Sequence, residues 1–197
     1  MRLNRNTLFS IVATLITALA LASVSYGQAP GHNLYSNIRI KNFGKMDDRF
    51  YRGGQPKKED YKDLAALGIR TVIDLRDDPT SYEKEAVEAV GMRYVNIPMS
   101  DKSYPRDEQI TEFLKLVDDP ATGSFYVHCA GGRHRTGVMG AVYRFNRYHW
   151  NFDQVYTEMK DYDFYTRFGH GPLKKFVEDY GQRIQKNSTT VSVAKAS

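Results

Sequence analysis

Phe125-Tyr126-Val127-His128-Cys129-Ala130-Gly131-Gly132-Arg133-His134-Arg135-Thr136-Gly137 is the stretch that decides the fold. A β-rich run, Ser124–His128, enters a glycine-containing turn, and the turn opens a helix expected over Thr136–Tyr148. Successive backbone N–H groups of such a turn form a nest for an anion, and the positive end of the helix points at the same spot. Ala130, Gly131 and Gly132 bring only backbone to that nest, and the two glycines permit unusual angles and close approach. Arg135 at the helix start can grip two phosphate oxygens with its planar fork, which a lysine cannot match. Cys129 heads the turn, where the donors that favour phosphate also favour a thiolate, and so a nucleophile at neutral pH. Thr136 is placed to hydrogen-bond the sulfur and help it leave. His128, just before the nucleophile, is expected to orient the loop from behind. Arg133 and His134 either reach a second anionic group of the substrate or are solvated loop residues; the sequence leaves both open.

Working outward, the pattern alternates strands and helices. Short strands are expected at Arg49–Arg52, Thr71–Leu75 and Arg93–Ile97. Helices are expected from Pro56 to Leu67, from a Ser81 cap to Val90, and from Arg106 to Val117 with Ile110, Phe113, Leu114 and Val117 on one face. Beyond the Thr136 helix, Asn151 caps a helix to about Tyr162, and Pro172 starts a last one through Gln185. The alternation implies a single α/β domain with a central, mostly parallel sheet flanked by helices. Its expected limits are an arm over 28–47, the domain over 48–186 and a loose tail over 187–197.

The string Cys-x5-Arg-Thr, with histidine before it and glycine three places into it, resembles the signature of the protein tyrosine phosphatase superfamily. Gly132-Arg133-His134-Arg135-Thr136-Gly137 is similar to the dual-specificity-like branch, in particular to its plant and fungal atypical type and bacterial relatives. Phe50–Pro56 and Thr71–Arg76 extend the resemblance over about 48–164. It implies a cysteine-based phosphatase fold, hydrolysis of phosphate monoesters through a phosphocysteine intermediate, and no metal or other cofactor. It also implies an aspartate on a loop some tens of residues before the cysteine, acting first as proton donor to the leaving oxygen and then as base towards water. Asp101 is the choice, because it closely follows the strand ending at Ile97. Asp107 is the alternative, and suits the first turn of the next helix as well.

Other residues carry less. Arg52 and Arg76 are explained equally by ion pairs with Asp74, Asp77 or Asp78. Tyr162, Phe164 and Tyr165 line either a pocket or the core. His32, His149 and His170 show no metal-ligand spacing. A non-catalytic phosphate-binding module is the first rival, yet Cys129, Arg135 and an acid are all in place. Arsenate reduction needs further cysteines, and the chain has one. Sulfur transfer leaves the Arg135-Thr136 pair without a role. A tyrosine or dual-specificity protein phosphatase is the first expectation. The basic pair Arg133-His134 keeps inositol polyphosphates, pyrophosphates and other small phosphoesters open as substrates.

Composition sets the outer bounds. The 197 residues suit one domain, with 41% hydrophobic and 26% charged residues. Net charge is +5, of which Arg2 and Arg5 supply two, so the remainder shows no concentrated basic face for nucleic acid. Met1–Asn6 is basic, Thr7–Val24 apolar, and Ser25-Tyr26-Gly27 offers small residues for cleavage. That order predicts a signal peptide over 1–27 and a periplasmic or secreted domain, with an uncleaved membrane anchor as the alternative. The lone thiol has no partner for a protective intramolecular disulfide, so inactivation by peroxide is expected.

Overall fold

The computed structural model describes Tyr35 and residues 37–196, with side chains through Asn187. The expected signal peptide, the first part of the arm and His32 lie outside the described residues, as do the side chains of the expected tail beyond Asn187.

Five strands form one sheet: β1 (Gly44–Lys45), β2 (Phe50–Gly53), β3 (Ile69–Arg76), β4 (Arg93–Met99) and β5 (Ser124–His128), in the order β1-β2-β5-β3-β4. β1 pairs antiparallel with β2, and every other pairing is parallel. The helices are α1 (Tyr61–Ala66), α2 (Glu83–Glu88), α3 (Asp107–Asp118), α4 (His134–Tyr148), α5 (Phe152–Asp161) and α6 (Gly171–Ala196).

Because strand side chains alternate, each central strand feeds two cores. Tyr126 of β5 and Val72 of β3 point into a cluster with Tyr61 and Leu64 of α1 and Ala86 and Val87 of α2. Phe125, Val127, Ile73 and Leu75 point the other way, into the larger cluster with α3, α4, α5 and α6. A strand buried on both faces reads as a continuous apolar run, which is how Phe125-Tyr126-Val127 reads. The parallel strands β3, β4 and β5 send their carboxyl ends to one edge, where an open α/β sheet binds its ligands.

Several elements depart from expectation. Pro56 does not open a helix; its carbonyl accepts from the Tyr82 hydroxyl at 2.8 Å, and a 3-10 turn at Lys58–Asp60 precedes α1. Ser81 does not cap α2, whose N-cap is Tyr82 with no side-chain cap bond. Ile110, Phe113 and Val117 are buried on the core face of α3 as expected, Leu114 is partly buried against the same cluster, and Leu116 is buried as well. Asn151 does cap α5, its Oδ1 accepting from the Gln154 N–H at 3.0 Å. α4 starts at His134, two residues earlier than expected, so Arg135 lies in its first turn. α6 continues as helix to Ala196, where a loose tail was expected. The segment read as an arm supplies β1 and packs Ile40 and Phe43 against Tyr51 and Tyr126, so it belongs to the domain.

Candidate active site

The turn Cys129–Arg133 is held from outside by its carbonyls. Ala130 O accepts from the Gln55 N–H at 3.2 Å, Gly131 O from Asn42 Nδ2 at 2.8 Å, and Gly132 O from Arg52 Nη2 at 2.6 Å. With three successive carbonyls bonded to the surrounding scaffold, the amides of the turn are left free for its concave side. Gly132 is obligatory here. Its φ is +68°, and a Cβ would stand 2.4 Å from the Gly53 carbonyl carbon. Arg52 is completely enclosed and also lies over the Tyr162 ring, 3.9 Å from its centroid. It thus anchors the turn; it makes no ion pair with Asp74, Asp77 or Asp78. Asn42 had no signal in the sequence, because its partner is a backbone carbonyl 89 residues away.

Cys129 is buried, 3% exposed, at the floor of a cavity of about 130 Å³. That is smaller than the roughly 300–1,000 Å³ of a pocket for a drug-sized ligand, so it suits a small head group. Burial pushes the Cys129 thiol up, but the Thr136 hydroxyl and amide, the Arg135 charge and the Gly131 amide outweigh it and hold the thiol below the ordinary range. The Thr136 hydroxyl is itself fully buried and bonds no oxygen or nitrogen acceptor among the described residues.

Arg135 lies beside the thiol in the cavity wall. Its Nη1 donates to Asp77 Oδ1 at 2.5 Å and to the Met99 carbonyl at 3.1 Å, while its buried Nε has no partner among the described residues. The contacts fix the guanidinium from the ends of β3 and β4, and the Nε donor remains for an anion's oxygen.

Asp101, after β4, also lines the cavity, and its side chain is 39% exposed. Asp107 instead opens α3 and faces Arg183 at 3.6 Å, away from the cavity lining. The geometry therefore favours Asp101 over Asp107 as the acid that can meet a group bound on Cys129.

Of the remaining candidates, Ala130, Gly131, Arg133 and His134 line the cavity, while Gly132 and Thr136 are not part of its lining. Arg133 is partly exposed, 3.6 Å from Asp163 and over the Tyr165 ring. His134 is not a solvated loop residue: it is buried, faces the Tyr165 carbonyl at 3.1 Å and stacks on His170 with centroids 3.5 Å apart. Burial and the neighbouring His170 push its imidazole down to about 4. Tyr165 and His170 complete the wall, whereas Phe164 joins the core and Tyr162 lies under Arg52. His170 was set aside in the sequence because only the fold reveals its partners. Arg76 pairs with Asp78 at 2.9 Å and also donates to Gln55 Oε1.

Behind the turn, His128, Asp74 and Glu83 form a fully buried group. His128 Nε2 is 2.7 Å from Glu83 Oε1, and Asp74 Oδ1 is 3.9 Å from Nδ1. Burial pushes Glu83 up, but its bond to His128 wins and holds it below its usual range; the same pair holds His128 above its own. Glu83 also accepts from Tyr61 and Gln55, and Asp74 from Tyr94 and the Arg76 N–H. The carboxylate oxygens are thus engaged by protein donors, and the group reads as an ion pair bracing the end of β5.

A family model described as a DSP-PTPase phosphatase fused to NAD+ kinase matches residues 36–169. Among curated proteins, a probable tyrosine-protein phosphatase of Dictyostelium discoideum is 29% identical over 159 residues, covering 78% of this chain and 91% of its own length. An inositol diphosphatase of Arabidopsis thaliana is 28% identical over 103 residues, about half of each chain (50% and 51%). Among solved structures, the catalytic domain of the PP-IP phosphatase Siw14 of S. cerevisiae superposes with a TM-score of 0.62 at 20% identity, covering 76% of this chain and 94% of that one.

Proposed function

Since the chain belongs to the DSP-PTPase phosphatase family and is a phosphoric monoester hydrolase of the cysteine-based class, we propose that it works through Cys129, Arg135 and Asp101. The Cys129 thiolate attacks phosphorus, and the bond to the leaving oxygen breaks while Asp101 donates its proton to that oxygen. Water, deprotonated by Asp101, then attacks the phosphocysteine and returns the thiolate and inorganic phosphate. The turn amides and Arg135 hold the equatorial oxygens, whose charge they match best in the transition state. Thr136 eases departure of the sulfur.

One observation carries this reading: a thiol held below its ordinary range shares a small cavity with a fixed guanidinium and a loop aspartate. A phosphorylated tyrosine, or a phosphorylated protein more generally, is the proposed substrate, in keeping with the Dictyostelium relative's name. A second reading, a highly phosphorylated small molecule such as an inositol polyphosphate or pyrophosphate, is favoured by the partly exposed Arg133 in the cavity wall and by the relatives named inositol diphosphatases. Export belongs to the same proposal and rests on the basic, apolar and small-residue order of residues 1–27 alone; a mature protein beginning at Gln28 is the expected result of N-terminal sequencing.

The test is hydrolysis of phosphotyrosine peptides and of inositol pyrophosphates in reductant and chelator, with Cys129→Ser and Asp101→Asn alongside. Turnover that persists in chelator and disappears in Cys129→Ser supports the mechanism, and the ratio of kcat/KM between the two substrates decides the class. Binding of phosphate or vanadate without any turnover by the intact chain overturns it in favour of a binding module.

A further inference from the structure

The loop carrying Asp101 is tied to the opposite wall of the cavity through one buried side chain. His170 is 4% exposed, and its Nδ1 lies 2.7 Å from the Asp101 carbonyl oxygen. A carbonyl only accepts, so Nδ1 carries the ring proton. On the other edge, Nε2 is 3.3 Å from Lys102 Nζ, an ammonium that only donates and that also bonds the Phe168 carbonyl at 2.7 Å. These two partners select a single tautomer, with both nitrogens committed to consecutive residues of the acid loop.

The ring face is engaged as well. It lies on His134, in the first turn of α4, with centroids 3.5 Å apart and planes 15° from parallel. His134 in turn faces the Tyr165 carbonyl at 3.1 Å. The chain reaches this position through two successive left-handed residues, Phe168 (φ +57°) and Gly169 (φ +86°), the first of which any side chain resists. A histidine that merely filled the core would not need both nitrogens spent on one neighbouring loop.

We propose that His170 is a positioning residue for the general acid: it fixes the Asp101 backbone from one edge and rests on the helix that follows the phosphate turn. The two halves of the site are then one rigid unit, with Asp101 kept at the height of the leaving oxygen. This rests on the assignment of Asp101 made above.

The role makes a distinction that simple loss of packing does not. Proton donation matters most when the leaving group is basic. His170→Phe keeps the ring but loses both hydrogen bonds, while His170→Asn retains a donor near the place of Nδ1. In the full chain, His170→Phe is expected to lower kcat on phenyl phosphate about tenfold, a fraction of what an acid supplies, and on p-nitrophenyl phosphate only about two- to threefold. KM should hold, and His170→Asn should recover most of the loss. Amide hydrogen exchange over residues 100–104 should quicken in His170→Phe and stay near wild type in His170→Asn. Equal losses on both substrates, or unchanged exchange over that loop, would overturn the proposal. Should wild type hydrolyse neither ester, the aryl phosphate reading of the substrate fails, and the exchange data alone decide the tie between His170 and the loop.

Discussion

Arg52 Nη2 donates to the carbonyl of Gly132 at 2.6 Å, joining two residues eighty positions apart and fixing the Cys129–Arg133 turn from beneath. The guanidinium is wholly buried and has no carboxylate among its hydrogen-bond partners; burial accordingly pulls its proton affinity below the ordinary value. Taking a charge out of water in this way is costly. What it gains is direction: a carbonyl turned outward leaves its peptide's amide to the anion side.

Arg52→Met should therefore separate stability from binding. A side chain of similar volume removes the desolvation cost, so the midpoint of denaturation should move little, whereas loss of one charged hydrogen bond to the turn should weaken vanadate binding about tenfold. Calorimetry of vanadate binding and urea melts measure the two effects. A large loss of stability with intact binding would contradict the assigned role.

Thr136 is expected to set the reactivity of the thiol. Its hydroxyl and amide are foremost among the groups that hold Cys129 below its usual range, so Thr136→Val should raise the pH at which iodoacetamide alkylates the protein, while Thr136→Ser should not. Alkylation rates against pH give the comparison directly.

Asp101 and Asp107 should part clearly. Removing a general acid costs on the order of 10²–10⁴-fold, so Asp101→Asn should lower kcat within that span. Asp107→Asn should leave kcat alone and cost at most about 1 kcal/mol of stability from the first turn of α3. Steady-state kinetics on one aryl phosphate suffice, and a deep loss in Asp107→Asn would reverse the assignment.

His134 should make stability depend on acid. Its folded imidazole sits at about 4, against an ordinary 6.5, so as pH falls the unfolded chain takes up the proton first. Stability from this group is full above about pH 6.5 and is lost as pH falls towards 4, by of order 3 kcal/mol. In urea denaturation at pH 7.5 and 4.5, His134→Asn should show a smaller difference than wild type. An unchanged difference would mean that His134 charges freely in the folded protein.

Much of this was legible in the sequence because it is local. The run Phe125–Gly137 carries its strand, turn and helix within thirteen residues, and the buried run of β5 and the Asn151 cap follow from short-range rules. The loop expected to carry the acid could be narrowed to two aspartates because strand ends are readable to within a few residues. What stayed hidden are contacts whose partners are backbone atoms: Asn42 on Gly131, Arg52 on Gly132 and His170 on Asp101. A side chain that seeks a carbonyl leaves no complementary residue to recognise. Charge patterning suggested carboxylate partners for Arg52, yet the fold gave it a peptide oxygen and an aromatic face.

The most direct test of the central claim is to trap the covalent intermediate. Asp101→Asn protein, mixed with p-nitrophenyl phosphate and quenched in acid, should gain the mass of one phosphoryl group on the peptide containing Cys129, and Cys129→Ser should gain none. Release of p-nitrophenol by the intact chain with no such adduct, or an adduct on another residue, would contradict the account.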